Sequence, residues 1–286
     1  MAEQVLVTLD GQVRDADAPL LTVDDLAVVR GDGVFETLLV RDGRVCKPAL
    51  HLDRLESSAR ALELPWPGRG LWVRAIEAAS REWGSDREGW MRLVLSRGRE
   101  GGGAPTAFVT VGPVAERVLQ ARRDGVAAIT LPRGYSVDLS ATAPWQLVGA
   151  KTLSYATNMA ALRHARAQGA DDVVFTSSEG RILEGPRSSV VIARGKTLIT
   201  PPPGQSILAG TTQKALFEVA PDKGYTCEYA PLLPSDLIAA EGIWLISSVT
   251  LAARVHTLDG LALRPSPAAE DVASLVELAV ETVGLG

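Results

Sequence analysis

A two-domain α+β chain is the fold class this sequence predicts, and three observations predict it. Strand-like and helix-like stretches follow one another in blocks rather than in strict alternation. At 286 residues the chain is longer than the roughly 100–200 residues of one ordinary domain. A charged stretch between two strand-rich blocks marks the boundary. We therefore place a smaller N-terminal α+β domain at residues 1–115, a linker at 116–124 and a larger C-terminal domain at 125–286.

Residues 4–9 alternate apolar and polar side chains as a half-buried strand does, and Asp10-Gly11 signals a tight turn into residues 12–14. Residues 34–40 are β-rich, and Arg41-Asp42-Gly43 turns the chain into 44–46. Pro48 suits the first turn of a helix, where its missing N–H costs nothing. Leu52, Leu55, Ala59 and Leu62 then recur at helical spacing, and Pro65 and Pro67 stop the pattern. Residues 71–83 read as a second helix ending before Gly84. Residues 91–96 and 107–111 are strands around a glycine-rich loop. Beyond the linker come strands at 127–131, 173–176 and 189–193, a helix at about 155–168 and a proline-rich bend at 200–204. A helix from Thr211 to about Ala220 and a buried strand at 242–248 follow. Ser266-Pro267 caps a last helix in which Val272, Leu275, Val276, Ala279 and Val283 share one face.

Hydrophobic residues make up 46% and charged residues 22%, as in ordinary globular proteins. The 29 basic and 34 acidic residues leave a net charge of -5, which argues against a nucleic-acid binder. No apolar run approaches the roughly 20 residues that span a bilayer. The N-terminus lacks the basic and apolar regions of a secretion signal, so the expected setting is cytoplasmic, with no membrane partner. Two cysteines, Cys46 and Cys227, and three histidines make neither a disulfide framework nor a zinc site, and no metal is expected. P-loop, GxGxxG, HExxH and GxSxG patterns are all absent.

The chemistry must then rest on scattered residues, of which Lys151 comes first. It stands in Val148-Gly149-Ala150-Lys151-Thr152-Leu153, read as the end of an apolar strand before a helix. Small and apolar neighbours desolvate an amine and favour the neutral form that attacks a carbonyl; the plain alternative is a lysine at a strand end in water. Other segments stand at set distances. Upstream are Arg30-Gly31-Asp32-Gly33-Val34-Phe35-Glu36-Thr37 and His51-Leu52-Asp53-Arg54-Leu55. Downstream are Glu184-Gly185-Pro186-Arg187-Ser188-Ser189, Leu198-Ile199-Thr200-Pro201-Pro202 and Ala209-Gly210-Thr211-Thr212. In order and spacing, from about residue 24 to about 260, these segments resemble the fold-type IV (class IV) family of pyridoxal-5'-phosphate enzymes. That family includes branched-chain aminotransferases, D-amino-acid aminotransferases and 4-amino-4-deoxychorismate lyases.

The resemblance implies a fold-type IV enzyme, a homodimer, with pyridoxal 5'-phosphate bound by the C-terminal domain. Lys151 resembles the lysine that bonds the cofactor and later carries the proton. Glu184 resembles the acid paired with the pyridine nitrogen, and Arg54 a phosphate ligand. Arg54 lies off the apolar stripe of its helix, so its guanidinium is free to meet an anion. Gly210, Thr211 and Thr212 open a helix, where N–H groups and the dipole favour phosphate while the threonines also serve as caps. Ser248 and Val249 end a strand where the family adds phosphate contacts. His51 is read as a helix-packing residue.

On the substrate side, Phe35 and Trp90 stand where the competing aminotransferases carry tyrosines. The loop Ser96-Arg97-Gly98-Arg99-Glu100-Gly101-Gly102 resembles the loop of the lyases, with the second glycine displaced by one position. Arg30, Arg92 and Arg97 are candidates for binding two substrate carboxylates, and Phe35 is the fourth substrate-side residue. The implied reaction is the conversion of 4-amino-4-deoxychorismate to 4-aminobenzoate and pyruvate in folate biosynthesis. The alternatives are an aminotransferase for D-amino acids or branched-chain amino acids, and an inactive member serving as a binding scaffold.

Overall fold

The computed structural model describes residues 4–281. The chain divides into two compact units, one holding the residues up to Ala115 with Ala150–Tyr155, the other Glu116–Gly149 with Ala156–Val280. Mixed helix and sheet builds both.

The first unit carries an antiparallel sheet of β1 (Val5–Thr8), β2 (Val13–Arg14), β3 (Gly33–Arg41), β4 (Arg44–Val45), β5 (Gly89–Ser96) and β6 (Thr106–Pro113). Its strand order is β2-β1-β6-β5-β3-β4. Helices α1 (Leu26–Val29), α2 (Pro48–Ala61) and α3 (Arg69–Trp83) complete the unit. Side chains alternate across a strand, so Val34, Glu36, Leu38 and Val40 share one face of β3. In register beside them lie Leu95, Leu93 and Met91 of β5, then Val109 and Val111 of β6. Helix α2 covers that face and buries Leu52 and Leu55 completely, each worth about 1.5–3 kcal/mol against exposure. The opposite face presents Phe35, Thr37, Trp90 and Arg92.

The second unit contains β7 (Val126–Pro132), β8 (Asp172–Thr176), β9 (Ser189–Arg194), β10 (Thr197–Thr200), β11 (Thr226–Tyr229), β12 (Gly242–Ser247), β13 (Leu251–Leu258) and β14 (Leu261–Ala262). They run in the order β11-β10-β9-β12-β13-β7-β8, with β14 beside β13. Strand pairs β10/β11, β7/β13 and β7/β8 are parallel and the others antiparallel. Around the sheet lie α4 (Glu116–Asp124), α5 (Leu139–Thr142), α6 (Ala156–Ala167), α7 (Thr211–Val219), α8 (Pro234–Ala239) and α9 (Ala269–Val280). The central strands β9 and β12 are almost wholly apolar because they are buried on both faces. Val190, Ile192, Leu245 and Val255 lie in one core cluster, and Ala165 of α6 meets Val173 and Phe175 of β8 in another.

Two features depart from the sequence expectations, and a third lies partly beyond the described residues. Residues 116–124, expected as a linker, form α4, which packs against β13. Its charges suit a helix, with Glu116 in the first turn and Arg122 and Arg123 in the last. The segment carrying Lys151 is not the end of a strand. Leu147 at φ 54° and Gly149 at φ 93° break the extended conformation, leaving only a single bridge from Thr152 to Val34. The last helix ends at Val280, and Val283 lies outside the described residues. Strand β11 and helix α8 carried no periodic signal, being short and largely exposed.

Candidate active site

Lys151 belongs to the first unit, where its backbone is stitched to β3 and α2. Its carbonyl accepts the Phe35 N–H at 3.0 Å, and its N–H donates to Ser58 Oγ at 3.1 Å. The amine lies 4.7 Å from the Phe35 ring centroid and 5.7 Å from that of Tyr155. These two rings meet edge to face at 5.3 Å. An amine held against aromatic faces is attracted by them, yet it loses part of its hydration. Lys151 is half-buried there. Tyr155 was not foreseen: in the sequence it is one aromatic residue at a helix start, with nothing to pair it with Phe35.

Arg92 shares this sheet face. Its guanidinium stands 4.9 Å from the Trp90 ring and 6.0 Å from the Phe35 ring, with no carboxylate partner among the described residues. The other two candidate arginines differ. Arg97 donates to Asp32 at 2.6 Å and to the Leu62 carbonyl at 2.7 Å, tying its loop to the end of α2. Arg30 is exposed and paired with Glu100 at 3.2 Å.

Beneath the sheet lies a buried charge cluster. Glu36 has no solvent exposure and accepts from Arg54 through both oxygens, Nε at 2.7 Å and Nη2 at 2.8 Å. The ring Nδ1 of buried His51 lies 2.7 Å from Glu36 Oε2. Arg54 is therefore not free, as its helical position suggested: it forks onto a carboxylate from β3. Burial alone would raise the Glu36 carboxyl, but the Arg54 charge and the hydrogen bonds from Arg54 and His51 hold it well below the usual carboxylate range. Burial pushes the His51 imidazole down, against the Glu36 contact that raises it. His51 thus packs in the helix, as expected, and also completes a three-member network. No local pattern links these three, because the strand-to-helix packing pairs them.

The second unit holds the other candidates. After β8 the chain turns and runs back, so that the Phe175 N–H donates to the Glu184 carbonyl at 2.9 Å and the Leu183 N–H to the Phe175 carbonyl at 2.8 Å. The Glu184 side chain accepts the Leu208 N–H at 3.2 Å. Asn158 of α6 donates to the Pro186 carbonyl at 2.7 Å and steadies the next turn. Tyr135 stands close enough for the Glu184 charge to raise its pKa, after burial as the main cause and against Arg133.

Gly210 precedes α7 in extended conformation and, as its N-cap, has no side chain to cap the helix. A Cβ at Gly210 would fall 2.2 Å from Ser189 Oγ, so glycine lets the two approach with the serine hydroxyl in place. Buried Thr211 and Thr212 follow, in the first turn. Their segment is a helix N-terminus of nine residues, where amide groups and dipole attract an anion. Ser189 pairs in register with Ile246, so the turn carrying Ser248 and Val249 begins two residues beyond. The structure thus gathers Gly210, Thr211, Thr212, Ser248 and Val249 at one end of the second sheet. Among the described residues no group of His, Cys, Asp and Glu is arranged for a metal ion, and no helix is long and apolar enough to cross a membrane.

Known proteins carry the same plan. The family model described as amino-transferase class IV matches residues 33–258. A curated bifunctional aminodeoxychorismate lyase / D-amino acid transaminase of Mycobacterium tuberculosis is 57% identical over 285 residues, covering 96% of this chain and 99% of that one. A solved hypothetical aminotransferase from Mycobacterium tuberculosis, in a PLP-bound form, has a TM-score of 0.95 at 58% identity, over 97% of this chain and 99% of the other. A fold IV-transaminase from Curtobacterium pusillum has a TM-score of 0.92 at 39% identity, over 98% and 100%.

Proposed function

The chain belongs to the class IV aminotransferase family, and from that premise we propose that it is a pyridoxal-5'-phosphate enzyme splitting 4-amino-4-deoxychorismate into 4-aminobenzoate and pyruvate. Transamination of D-amino acids is its second activity. The observation that carries this reading is the 57% identity to a protein named for both reactions, spread over 96% of the chain. The lyase-like loop at Ser96–Gly102 and the replacement of two tyrosines by Phe35 and Trp90 support the same order of activities. A scaffold without activity is disfavoured, since it would need neither Lys151 nor Glu184. In the cell we place the enzyme in the cytoplasm, in folate biosynthesis, as a homodimer.

The residues present fit the cofactor. The α7 N-terminus, opened by a glycine, suits a phosphate, and the Glu184 carboxylate suits a protonated ring nitrogen. A lysine amine against aromatic rings suits the covalent bond to the aldehyde. In this assignment Gly210, Thr211, Thr212, Ser248, Val249 and Arg54 hold the phosphate. Bound there, the group supplies a sink for the electron pair left on the substrate carbon.

The protein's own residues do the rest. Lys151 Nζ takes the proton from C4, the carbon bearing the nitrogen. The C3–O bond then breaks as the C4–H electron pair forms the last ring double bond. The Lys151 ammonium returns its proton to the departing oxygen, so pyruvate leaves as its enol and the ring gains aromaticity. Glu184 keeps the proton on the pyridine nitrogen by countering its charge. Arg92 is our choice for a substrate carboxylate, because its guanidinium has aromatic faces but no acid, whereas Arg30 and Arg97 already have theirs. Phe35 shapes the same face.

The test is to supply 4-amino-4-deoxychorismate to the purified protein with no oxo acid. Sustained, equal release of pyruvate and 4-aminobenzoate is expected. D-Alanine turnover should halt until 2-oxoglutarate is added, because transamination must regenerate its cofactor. Efficient D-alanine turnover with aminodeoxychorismate untouched would reverse the assignment.

A further inference from the structure

Leu251 stands in the left-handed backbone region at φ 61° while only 3% exposed. Leucine rarely adopts that conformation, and surrounding contacts must hold it. Leu251 opens β13 and pairs with Ser247, the last residue of β12. The three residues between them, Ser248, Val249 and Thr250, make a tight hairpin turn, of a length that closes with a left-handed residue. Glycine usually fills that place. Here the turn is held from outside: Arg122 of α4 donates to the Val249 carbonyl from Nε at 3.1 Å and from Nη2 at 2.6 Å. Within the turn the Thr250 N–H donates to Ser247 Oγ at 3.3 Å.

In a planar trans peptide the C=O and N–H point in opposite directions. Drawing the Val249 carbonyl toward α4 therefore turns the Thr250 N–H, the amide of the same peptide, the other way, where Ser247 Oγ accepts it. The two contacts together fix the plane of the peptide that closes the Ser248–Val249 segment. The turn follows Ile246, whose register partner Ser189 is the residue that Gly210 approaches. The turn and the α7 N-terminus thus share one end of the sheet. We propose that Arg122 is a positioning residue for the phosphate end of the cofactor site, acting through the Val249 carbonyl. It holds the Ser248–Val249 turn in the orientation that presents its polar groups to an anion. The inference rests on the reading of Ser248 and Val249 as phosphate contacts.

The test titrates the full-length apoprotein with pyridoxal 5'-phosphate and with pyridoxal, which lacks the phosphate. Wild type should bind the phosphorylated form far more tightly. Arg122→Ala should lose about tenfold in affinity for it, roughly the worth of a lost hydrogen-bonding anchor, with pyridoxal affinity unchanged. Arg122→Lys keeps the cation and one donor, and should fall between; it carries the test if the alanine variant does not fold. Arg123→Ala, an exposed change on the same helix, should match wild type. Equal losses for both ligands in the Arg122 variants, or an unchanged preference for the phosphate, overturn the positioning role. A wild type without that preference overturns the cofactor reading instead.

Discussion

Arg54 depends on a carboxylate 18 positions earlier in the chain, and Glu36 in turn is buried only because Arg54 and His51 answer its charge. Glu36→Gln should cost about 3–5 kcal/mol, since it leaves a largely buried guanidinium facing a neutral amide. The denaturation midpoint at neutral pH should fall with an unchanged slope, and cofactor affinity should fall with it as Arg54 loosens. Lys151→Ala should act differently, abolishing turnover with the fold intact, because its side chain supplies chemistry and little packing. Borohydride treatment of the loaded wild type should fix the cofactor on the peptide containing Lys151; label on another lysine would remove the assignment. Glu184→Gln should retain the cofactor and lose most of the rate, since an amide cannot hold the ring nitrogen charged. These proposed roles rest on short motifs. The Glu36 pairing was not, because no spacing rule links a strand position to a helix position.

At the scale of elements, the first turn of α7 and the glycine before it form a unit. Gly210→Ala would set a methyl 2.2 Å from Ser189 Oγ on β9 and 3.2 Å from Gln213 Cβ, so the serine hydroxyl must turn away and the first turn of the helix must give. We expect weaker cofactor binding by about 1–3 kcal/mol, the range for crowding a packed site, read as a shift in the titration curve. Most strands and helices of the first unit were legible, since β3, β5 and α2 carry clean periodicity. Helix α4 was not, because its charged face resembles a linker until β13 is seen beneath it. The Lys151 segment was misread for a related reason. Its apolar residues look like a strand, yet two left-handed positions, Leu147 and Gly149, leave it irregular.

For the whole molecule, acid should act unequally on the two units. The folded pKa of Glu36 is depressed, so its stabilisation is present above the unfolded value of about 4.3 and is lost as pH falls through the folded one. His51, also depressed, contributes with the same sign below its ordinary 6.5. Both lie in the first unit. In the second unit burial raises Asp172 despite Arg187, so its contribution is recovered, not lost, as pH falls. Hydrogen exchange followed from pH 7 down to about pH 3 should therefore lose protection first in the strands around Glu36, through His51 below about 6.5 and through Glu36 below about 4.3; earlier loss around Asp172 would contradict this. The sequence by itself determined the α+β class and the family, and it supplied the proposal of Lys151, Glu184 and the α7 start as site residues. Each rests on short segments, whose turn, cap and spacing rules act locally, read in their order along the chain. Only the tertiary structure decided which arginine is paired with which acid, and that Arg122 reaches a carbonyl 127 positions away. Such pairings are set by strand register and helix packing, which bring distant residues together and leave no local trace.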